Sequence, residues 1–496
     1  MKPLYSVAQI RDIETTALAS LPPGSLMQRA GQSASELAVK LVAHRQSPQV
    51  LVLAGPGNNG GDALEVAANL GQAGIAVTVL RLAGASTPPD SARALLRARA
   101  GGVRFADALP ADVDWALVVD GLFGIGLARA LSGAARALAC AVNEHDWPVL
   151  ALDVPSGLDA DTGALVGPDG VAVRAGHTIT FIGDKPGLHT GQGRDYAGAV
   201  TLAGLGVELP AQAPAEAQLN EVALFARYLH PRAQNSHKGS FGNVAVIGGA
   251  RGMLGAPVLA ARGALLAGAG RVFVATLDRN PGLDMAQPEL MFRDAAGYDP
   301  AGSTLVIGPG MGDSADALRL LHRAQGGAAP LVLDADALNL IAANPDLQLQ
   351  LAQRTGATAL TPHPLEAARL LGVTIAVIQG DRMAAARELA ARLRCHVVLK
   401  GAGSVLARPD GMVVINPTGN PGLATAGTGD VLAGICGALL AQGWPGWEAL
   451  LGAVWVHGAA ADRLVAQGVG PIGLTAGELP AAARAVLNAL VLEIGG

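Results

Sequence analysis

Short β-branched runs ending in Gly, Asp or Asn alternate along this chain with Ala/Leu/Arg-rich segments of helical period. That alternation is the pattern of βαβ units, and it confines the fold to parallel sheets covered by helices. A first series of expected strands falls at 50–54, 77–80, 116–120, 149–153 and 177–181. The pattern lapses over 208–221, ELPAQAPAEAQLNE, which carries no strand signal and reads as a linker. A second series follows at 244–247, 272–275, 305–307, 331–333, 359–360, 397–399 and 412–415. At 496 residues the chain exceeds what one hydrophobic core serves, since single cores stop growing near about 250–300 residues. The expectation is an α/β chain of two three-layer αβα domains in series, at 1–212 and 222–496.

Half of the residues are hydrophobic but only 3% are aromatic, and 66 are Gly, so the layers pack through small aliphatic side chains. A net charge of -5 leaves no basic stripe to neutralise phosphates, which excludes nucleic acid as an expected partner. Cys140, Cys395 and Cys436 are odd in number and far apart, fitting neither a disulfide framework nor a zinc site. They read as core fillers in a reducing compartment. The start, MKPLYSVAQIRDIE, meets charges before any apolar run, and the longest apolar stretch is interrupted by Asp120, Arg129 and Arg136. A cytoplasmic chain with no membrane partner is expected.

Ligands of an open parallel sheet gather beyond the carboxyl ends of its strands. In VLVLAGPGNNGGDALEVAANL, Gly55, Gly57, Gly60 and Gly61 let the backbone approach a ligand and turn amides toward it at a helix start. In LVVDGLFGIGLAR, Asp120 closes the strand, and Gly124 and Gly126 open a second amide-lined loop. In VLALDVPSGLDADTG, Asp153 ends the strand and Ser156 follows it. One Gly-rich turn alone has a purely structural explanation. Three together offer Asn59, Asp120 and Ser156 oxygens to a hard cation and amides to a pyrophosphate, which favours a site.

GNNGGD, DGLFGIGL and DVPSGLDADTG resemble the N-terminal epimerase domain of the bifunctional NAD(P)H-hydrate repair enzymes, over most of residues 1–212. The resemblance implies a Rossmann-like domain that interconverts the R and S epimers of hydrated NAD(P)H and binds potassium. It implies that Asn58, Asn59, Gly60, Gly61 and Asp62 line the hydrated dinucleotide, with Gly124, Ile125, Gly126, Leu127, Ala128, Arg129 and Ala130. It places Asp153 against the same ligand, and potassium on Asn59, Asp120 and Ser156. Ala63 stands where this family commonly has Gly, and Ile125 where it commonly has Thr. Moving a proton near a hydroxyl-bearing carbon calls for a carboxylate of shifted pKa, and Asp153 is the candidate; its alternative role is a helix N-cap.

The sharpest signal is NPTGNPGLATAGTGDVLAGICGALLAQG, in which Gly427, Thr428 and Gly429 precede a long apolar helix and Asp430 sits in its first turn. The amides and the helix dipole there suit an anion, and a neighbouring carboxylate suits a base for phosphoryl transfer. GTGD before such a helix resembles the ribokinase-like fold. Together with HKGSFGNVAVIGGARGMLGAP, VIGPGMG, LVLDADALNL, ALTPHPLEAARLL and VVLKGAGSVLA it resembles the dehydratase domain of the same repair family, over about residues 222–492. That implies ADP- or ATP-dependent dehydration of the S epimer, through phosphorylation of the ring hydroxyl and loss of phosphate. It implies Ala256, Gly310, His363 and Asp430 against the hydrated dinucleotide, and Lys400, Gly401, Ala402, Gly403, Ser404 and Gly429 on the adenine nucleotide. Asp430 would be the base, and magnesium would accompany the phosphates. Leu365 departs from the family's TPHPGE. For assembly the resemblance implies a homo-oligomer, a tetramer by the family's pattern.

Five lysines, Lys2, Lys40, Lys185, Lys238 and Lys400, stand against thirty arginines, and three lie in motif-like contexts. A compact ammonium that an Arg fork cannot replace is one reading, and chance retention the other. Two alternatives remain at this point: a ribokinase-like small-molecule kinase with an accessory dinucleotide-binding domain, and a first domain that binds without catalysing.

Overall fold

The structure is a computed structural model that describes residues 2–82, 84, 87–111, 113–209, 215–278 and 282–495. The chain divides into two compact units, Pro3–Ala217 and one made chiefly of Gln218–Gly496. Residue 212, where the first domain was expected to end, and residues 210–214 of the expected linker lie outside the described residues. The remainder of that linker is not free of strand: Ala217–Leu219 pairs in parallel with Val413–Ile415, a short pairing without β-branched residues on the linker side.

In the first unit the strands lie in the order Arg104–Ala106, Ala76–Arg81, Gln49–Ala54, Leu117–Gly121, Val149–Leu152, His177–Phe181, Ala199–Ala203, every neighbouring pair parallel. Successive side chains alternate between faces. Val50, Val52 and Ala54 meet the helices Ser25–Val42, Asn58–Gln72 and Pro89–Ala100, while Leu51 and Leu53 meet Gly133–Asn143. Burial on both faces is why these strands read as unbroken apolar runs. The strand order reverses between Gln49–Ala54 and Leu117–Gly121, which opens a crevice at their carboxyl ends.

The second unit repeats the plan at larger scale. From Asn243–Gly248 its sheet extends one way through Arg271–Thr276 to Met291–Asp294, and the other way through Thr304–Ile307, Leu331–Leu333, Thr358–Leu360 and His396–Leu399, all parallel. Antiparallel Val405–Ala407 and Val413–Ile415 then follow. The reversal lies between Asn243–Gly248 and Thr304–Ile307. One face carries Gly255–Leu266, Thr428–Ala441, Gly446–Ala466 and Leu479–Gly495, packed on Val244, Val246, Val274 and Val306.

Thr428–Ala441 runs through this core with eleven buried residues, and glycine brings it close to Gly255–Leu266. A Cβ on Gly434 would lie 1.9 Å from the carbonyl oxygen of Ala260, and one on Gly263 would lie 2.6 Å from that of Val431. The neighbouring Gly446–Ala466 is long and apolar enough, by length and composition, to cross a membrane, a stretch the sequence expectation passed over. With 67% of its apolar window buried inside the protein, its composition is that of a core helix.

Gly434→Ala drives a methyl into backbone rather than a movable side chain. It is expected to destabilise the second unit by about 1–3 kcal/mol, read as an earlier unfolding transition in denaturant. An unchanged transition would contradict this helix contact.

Candidate functional site

At the reversal point of the first unit, a cavity of about 410 Å³ is lined by Asn58, Asn59, Asp62, Gly124, Ile125, Gly126, Leu127 and Asp153. Arg11 and Glu14 of the helix Val7–Leu18 close one wall, a contribution the sequence reading missed because nothing in that helix departs from an ordinary amphipathic pattern. Gly60 and Gly61 do not line the cavity. A Cβ on the first would meet the Gly55 carbonyl oxygen at 1.9 Å, and one on the second Met27 and Ser91 at 2.5 Å. Ala128, Arg129 and Ala130 are likewise absent from its described lining, and Ala130 packs beside Gly167.

The three expected cation ligands lie around the loop Gly121–Gly124. Asp120 is fully buried; Ser156 donates its backbone N–H at 2.8 Å and its hydroxyl at 2.7 Å to the carboxylate. Burial pushes Asp120 above the ordinary carboxylate range, and these hydrogen bonds oppose that rise. Phe123 donates its N–H to Ser156 Oγ at 2.8 Å. Asn59 is buried with neither side-chain polar atom hydrogen-bonded, beside the position a Gly124 Cβ would take. A buried carboxamide in that state calls for a ligand.

Asp153 follows its strand with φ 65°, and Ile182, after the next strand, has φ 67°. Left-handed backbone at non-glycine residues stores strain, and here both line the cavity. Lys185, completely buried, donates to Asp153 Oδ1 at 2.6 Å, Thr180 Oγ1 at 2.8 Å and the Phe181 carbonyl at 2.8 Å. All three ammonium protons are thereby used. Asp153 is therefore no helix N-cap; it is one half of a buried ion pair whose other carboxylate oxygen faces the Ile125 N–H.

In the second unit Asp430 lies in the first turn of Thr428–Ala441, after Gly427 at φ 89°. First-turn amides have no intrahelical acceptor. Burial, reinforced by Asp334, pushes Asp430 up to about 7. Lys400, just beyond the strand His396–Leu399, donates to Asp334 Oδ1 at 2.6 Å and stands 3.1 Å from where a Gly429 Cβ would be. Burial opposes its charge, but Asp334, Glu366 and Asp430 outweigh that and raise its pKa. Glu366, driven by burial, also reaches about 7.

His363 begins the helix Pro364–Leu371 as its N-cap. Its Nδ1 accepts the N–H groups of Leu365 and Glu366 at 3.1 and 3.2 Å, and Glu366 accepts the His363 backbone N–H at 2.7 Å. Ala256 and Gly310 are neighbours across the reversal, with a Gly310 Cβ position 3.3 Å from Ala256 Cβ. Beneath Lys400–Ser404 lies Arg382, which the sequence reading missed; it donates to the Leu399 and Lys400 carbonyls at 3.2 Å and to Gln379 at 2.8 Å. His457 is bonded to the Thr428 carbonyl at 2.9 Å, and burial lowers its pKa to about 4.

Two family models match these two units: one described as YjeF-related protein N-terminus over residues 23–187, and one described as NAD(P)H-hydrate dehydratase over residues 244–479. A bifunctional NAD(P)H-hydrate repair enzyme of Escherichia coli (strain K12) is 39% identical over 482 residues, 94% of this chain and 90% of the relative. One from Coxiella burnetii is 37% identical over 504 residues, 98% of this chain and 100% of the relative. This chain belongs to the bifunctional NAD(P)H-hydrate repair enzymes. An ADP/ATP-dependent NAD(P)H-hydrate dehydratase from Bacillus subtilis, co-crystallized with ATP/Mg2+, is 30% identical, with 55% of this chain and 98% of that chain covered and a TM-score of 0.48.

Departures from the repair family's pattern have local explanations. Leu365 is exposed at the second helical position, where no left-handed backbone demands glycine. Ala63 is buried against Gly121, whose lack of a side chain makes room: a Cβ there would lie 2.5 Å from that of Ala63. The Ile125 side chain joins the apolar cluster around Val154 and Leu158 while its N–H faces Asp153.

The Nδ1 atom of His363 is occupied as an acceptor, and burial, aided by Lys400, lowers its pKa. An NMR titration of ¹⁵N-histidine protein is expected to give a His363 midpoint below the ordinary 6.5, with Nδ1 unprotonated at neutral pH. A midpoint above 6.5 would contradict the cap.

Proposed function

We propose that the first unit interconverts the R and S epimers of hydrated NADH and NADPH, and that the second dehydrates the S epimer at the expense of ADP or ATP. The reading rests on membership of the repair family and, above all, on one observation: a carboxylate raised to about 7 stands in the first turn of an apolar helix, coupled to a buried ammonium. A base of that pKa is matched to taking the proton of an alcohol near neutral pH.

Asp430 takes the proton of the ring hydroxyl as that oxygen attacks a terminal phosphoryl group. The first-turn amides and the ammonium of Lys400 stabilise negative charge on the transferring phosphoryl. Phosphate is a far better leaving group than hydroxide, so the phosphorylated hydrate eliminates to restore the double bond. Ala256, Gly310 and His363 would position the hydrate, and Lys400, Gly401, Ala402, Gly403, Ser404 and Gly429 the nucleotide. Magnesium would accompany the nucleotide phosphates and neutralise their charge.

In the first unit Asp153, held at one oxygen by Lys185, is the acid/base group, and the lining of Asn58, Asn59, Asp62 and Gly124–Leu127 receives the hydrated ring. Potassium fits the unpaired carboxamide of Asn59 together with Asp120 and Ser156, and would supply positive charge beside the loop.

Asp430→Asn is expected to cut dehydration by about 10²–10⁴-fold while epimer exchange persists, followed as recovery of reduced-nicotinamide absorbance with ADP or ATP, magnesium and potassium. A base with a raised pKa works only when ionised. Dehydration kcat/KM should therefore fall about tenfold per pH unit below about 7 and level off above it. Dehydration retained in the variant would exclude Asp430 as the base.

A further inference from the structure

Four carboxyl groups, those of Glu14, Asp62, Asp90 and Asp153, line the cavity of the first unit, and the buried Lys185 ammonium hydrogen-bonds only Asp153 among them. Lys185 spends its protons on Asp153, Thr180 and the Phe181 carbonyl. Asp62, on the helix Asn58–Gln72, lines the same cavity as Asp153 but comes from the other side of the strand-order reversal. Among the described residues it has neither an ion-pair nor a hydrogen-bond partner. Glu14 enters from Val7–Leu18 beside Arg11, and Asp90 is tied to Arg93. Building on the epimerase reading above, we propose that Asp62 is a second catalytic residue, the general acid that works with Asp153 as general base.

The chemistry of the substrate asks for such a pair. Hydrating the enamine double bond of a dihydronicotinamide places the hydroxyl on the carbon beside the ring nitrogen. Asp62 gives its proton to that hydroxyl as the carbon–oxygen bond breaks; the nitrogen lone pair forms a carbon–nitrogen double bond, and water leaves. Water returns to the opposite face, a carbon–oxygen bond forms, the π pair goes back to nitrogen, and the released proton passes to Asp153. The carbon is inverted, one proton has moved from Asp62 to Asp153, and the reverse passage uses the two groups in exchanged roles. Burial, with the charges of Asp153 and Glu14 nearby, raises Asp62 well above the ordinary carboxylate range, in the direction this step needs. Asp153, ion-paired with Lys185, and Asp62, without a partner among the described residues, stand in different surroundings within one cavity, as an acid and a base require.

The test uses the full-length chain with nucleotide withheld, so that dehydration is silent, and purified R or S hydrate in H₂¹⁸O. Interconversion and ¹⁸O content are followed chromatographically and by mass spectrometry, against the spontaneous rate. The wild-type chain should interconvert the epimers and incorporate ¹⁸O with each inversion. Asp62→Asn should lower kcat for interconversion by about 10²-fold or more with KM changed less than about threefold, and Asp62→Glu should recover part of the loss. Inversion without ¹⁸O uptake in the wild-type chain would overturn the proposal, since the carbon–oxygen bond would then stay intact. So would an Asp62→Asn chain with wild-type kcat, or one impaired only in KM. No interconversion by the wild-type chain would overturn the epimerase reading itself, and Asp62 with it.

Discussion

In each unit one lysine ammonium is hydrogen-bonded to a single carboxylate while further carboxyl groups stand close by. In the second, Lys400 is ion-paired with Asp334 and coupled to Glu366 and Asp430; in the first, Lys185 is ion-paired with Asp153 while Glu14 and Asp62 share the cavity. Burial raises the pKa of the carboxyl groups that the lysine does not hydrogen-bond, Glu14 and Asp62 in the first unit and Glu366 and Asp430 in the second. In the second unit burial, with Asp334 adding to it and Lys400 opposing it, brings Glu366 and Asp430 up to about 7. Two of the five lysines, in a chain with thirty arginines, stand at these two positions.

The sheets deliver these charges to the same depth. Asp153 in the first unit and Asp334 in the second follow parallel strands, Lys400 follows another, and Asp62, Glu366 and Asp430 lie near the starts of helices; the cavity of the first unit lies where its strand order reverses. Glycine lets the core helices approach closely, and Thr428–Ala441 can begin beside Lys400 because Gly263 and Gly434 seat it against its neighbour. The supporting polar groups stay out of the chemistry. Arg382 fixes the carbonyls beneath Lys400, and His457, kept neutral by burial, holds the first carbonyl of the Asp430 helix.

Much of this was legible in the chain, for a physical reason. Strands buried on both faces leave continuous apolar runs, and their ends are marked by Asp or Gly, so the inner strands and Asp120, Asp153 and Asp430 stood out. Arg104–Ala106, Ala199–Ala203 and Met291–Asp294 did not, because they are partly exposed edge strands with mixed side chains. Asp334 and Glu366 lay inside segments that resembled the family, but nothing in a linear pattern says that they share one ammonium. Glu14 was invisible for the same cause: its helix gains meaning only when it closes a cavity built by strands far along the chain. Gly60 and Gly61, by contrast, carried a functional expectation that packing against Gly55, Met27 and Ser91 accounts for.

The central claim is that charge at the start of Thr428–Ala441 is arranged for a proton to leave an alcohol while a phosphoryl group is held by backbone amides. A crystal structure of the chain with hydrated NADH and a non-hydrolysable ATP analogue tests it most directly. The terminal phosphate should rest against the Gly427–Gly429 amides, with an Asp430 carboxylate oxygen within about 3 Å of the hydrate hydroxyl. A phosphate bound elsewhere, or an Asp430 side chain turned away from that hydroxyl, would contradict the account.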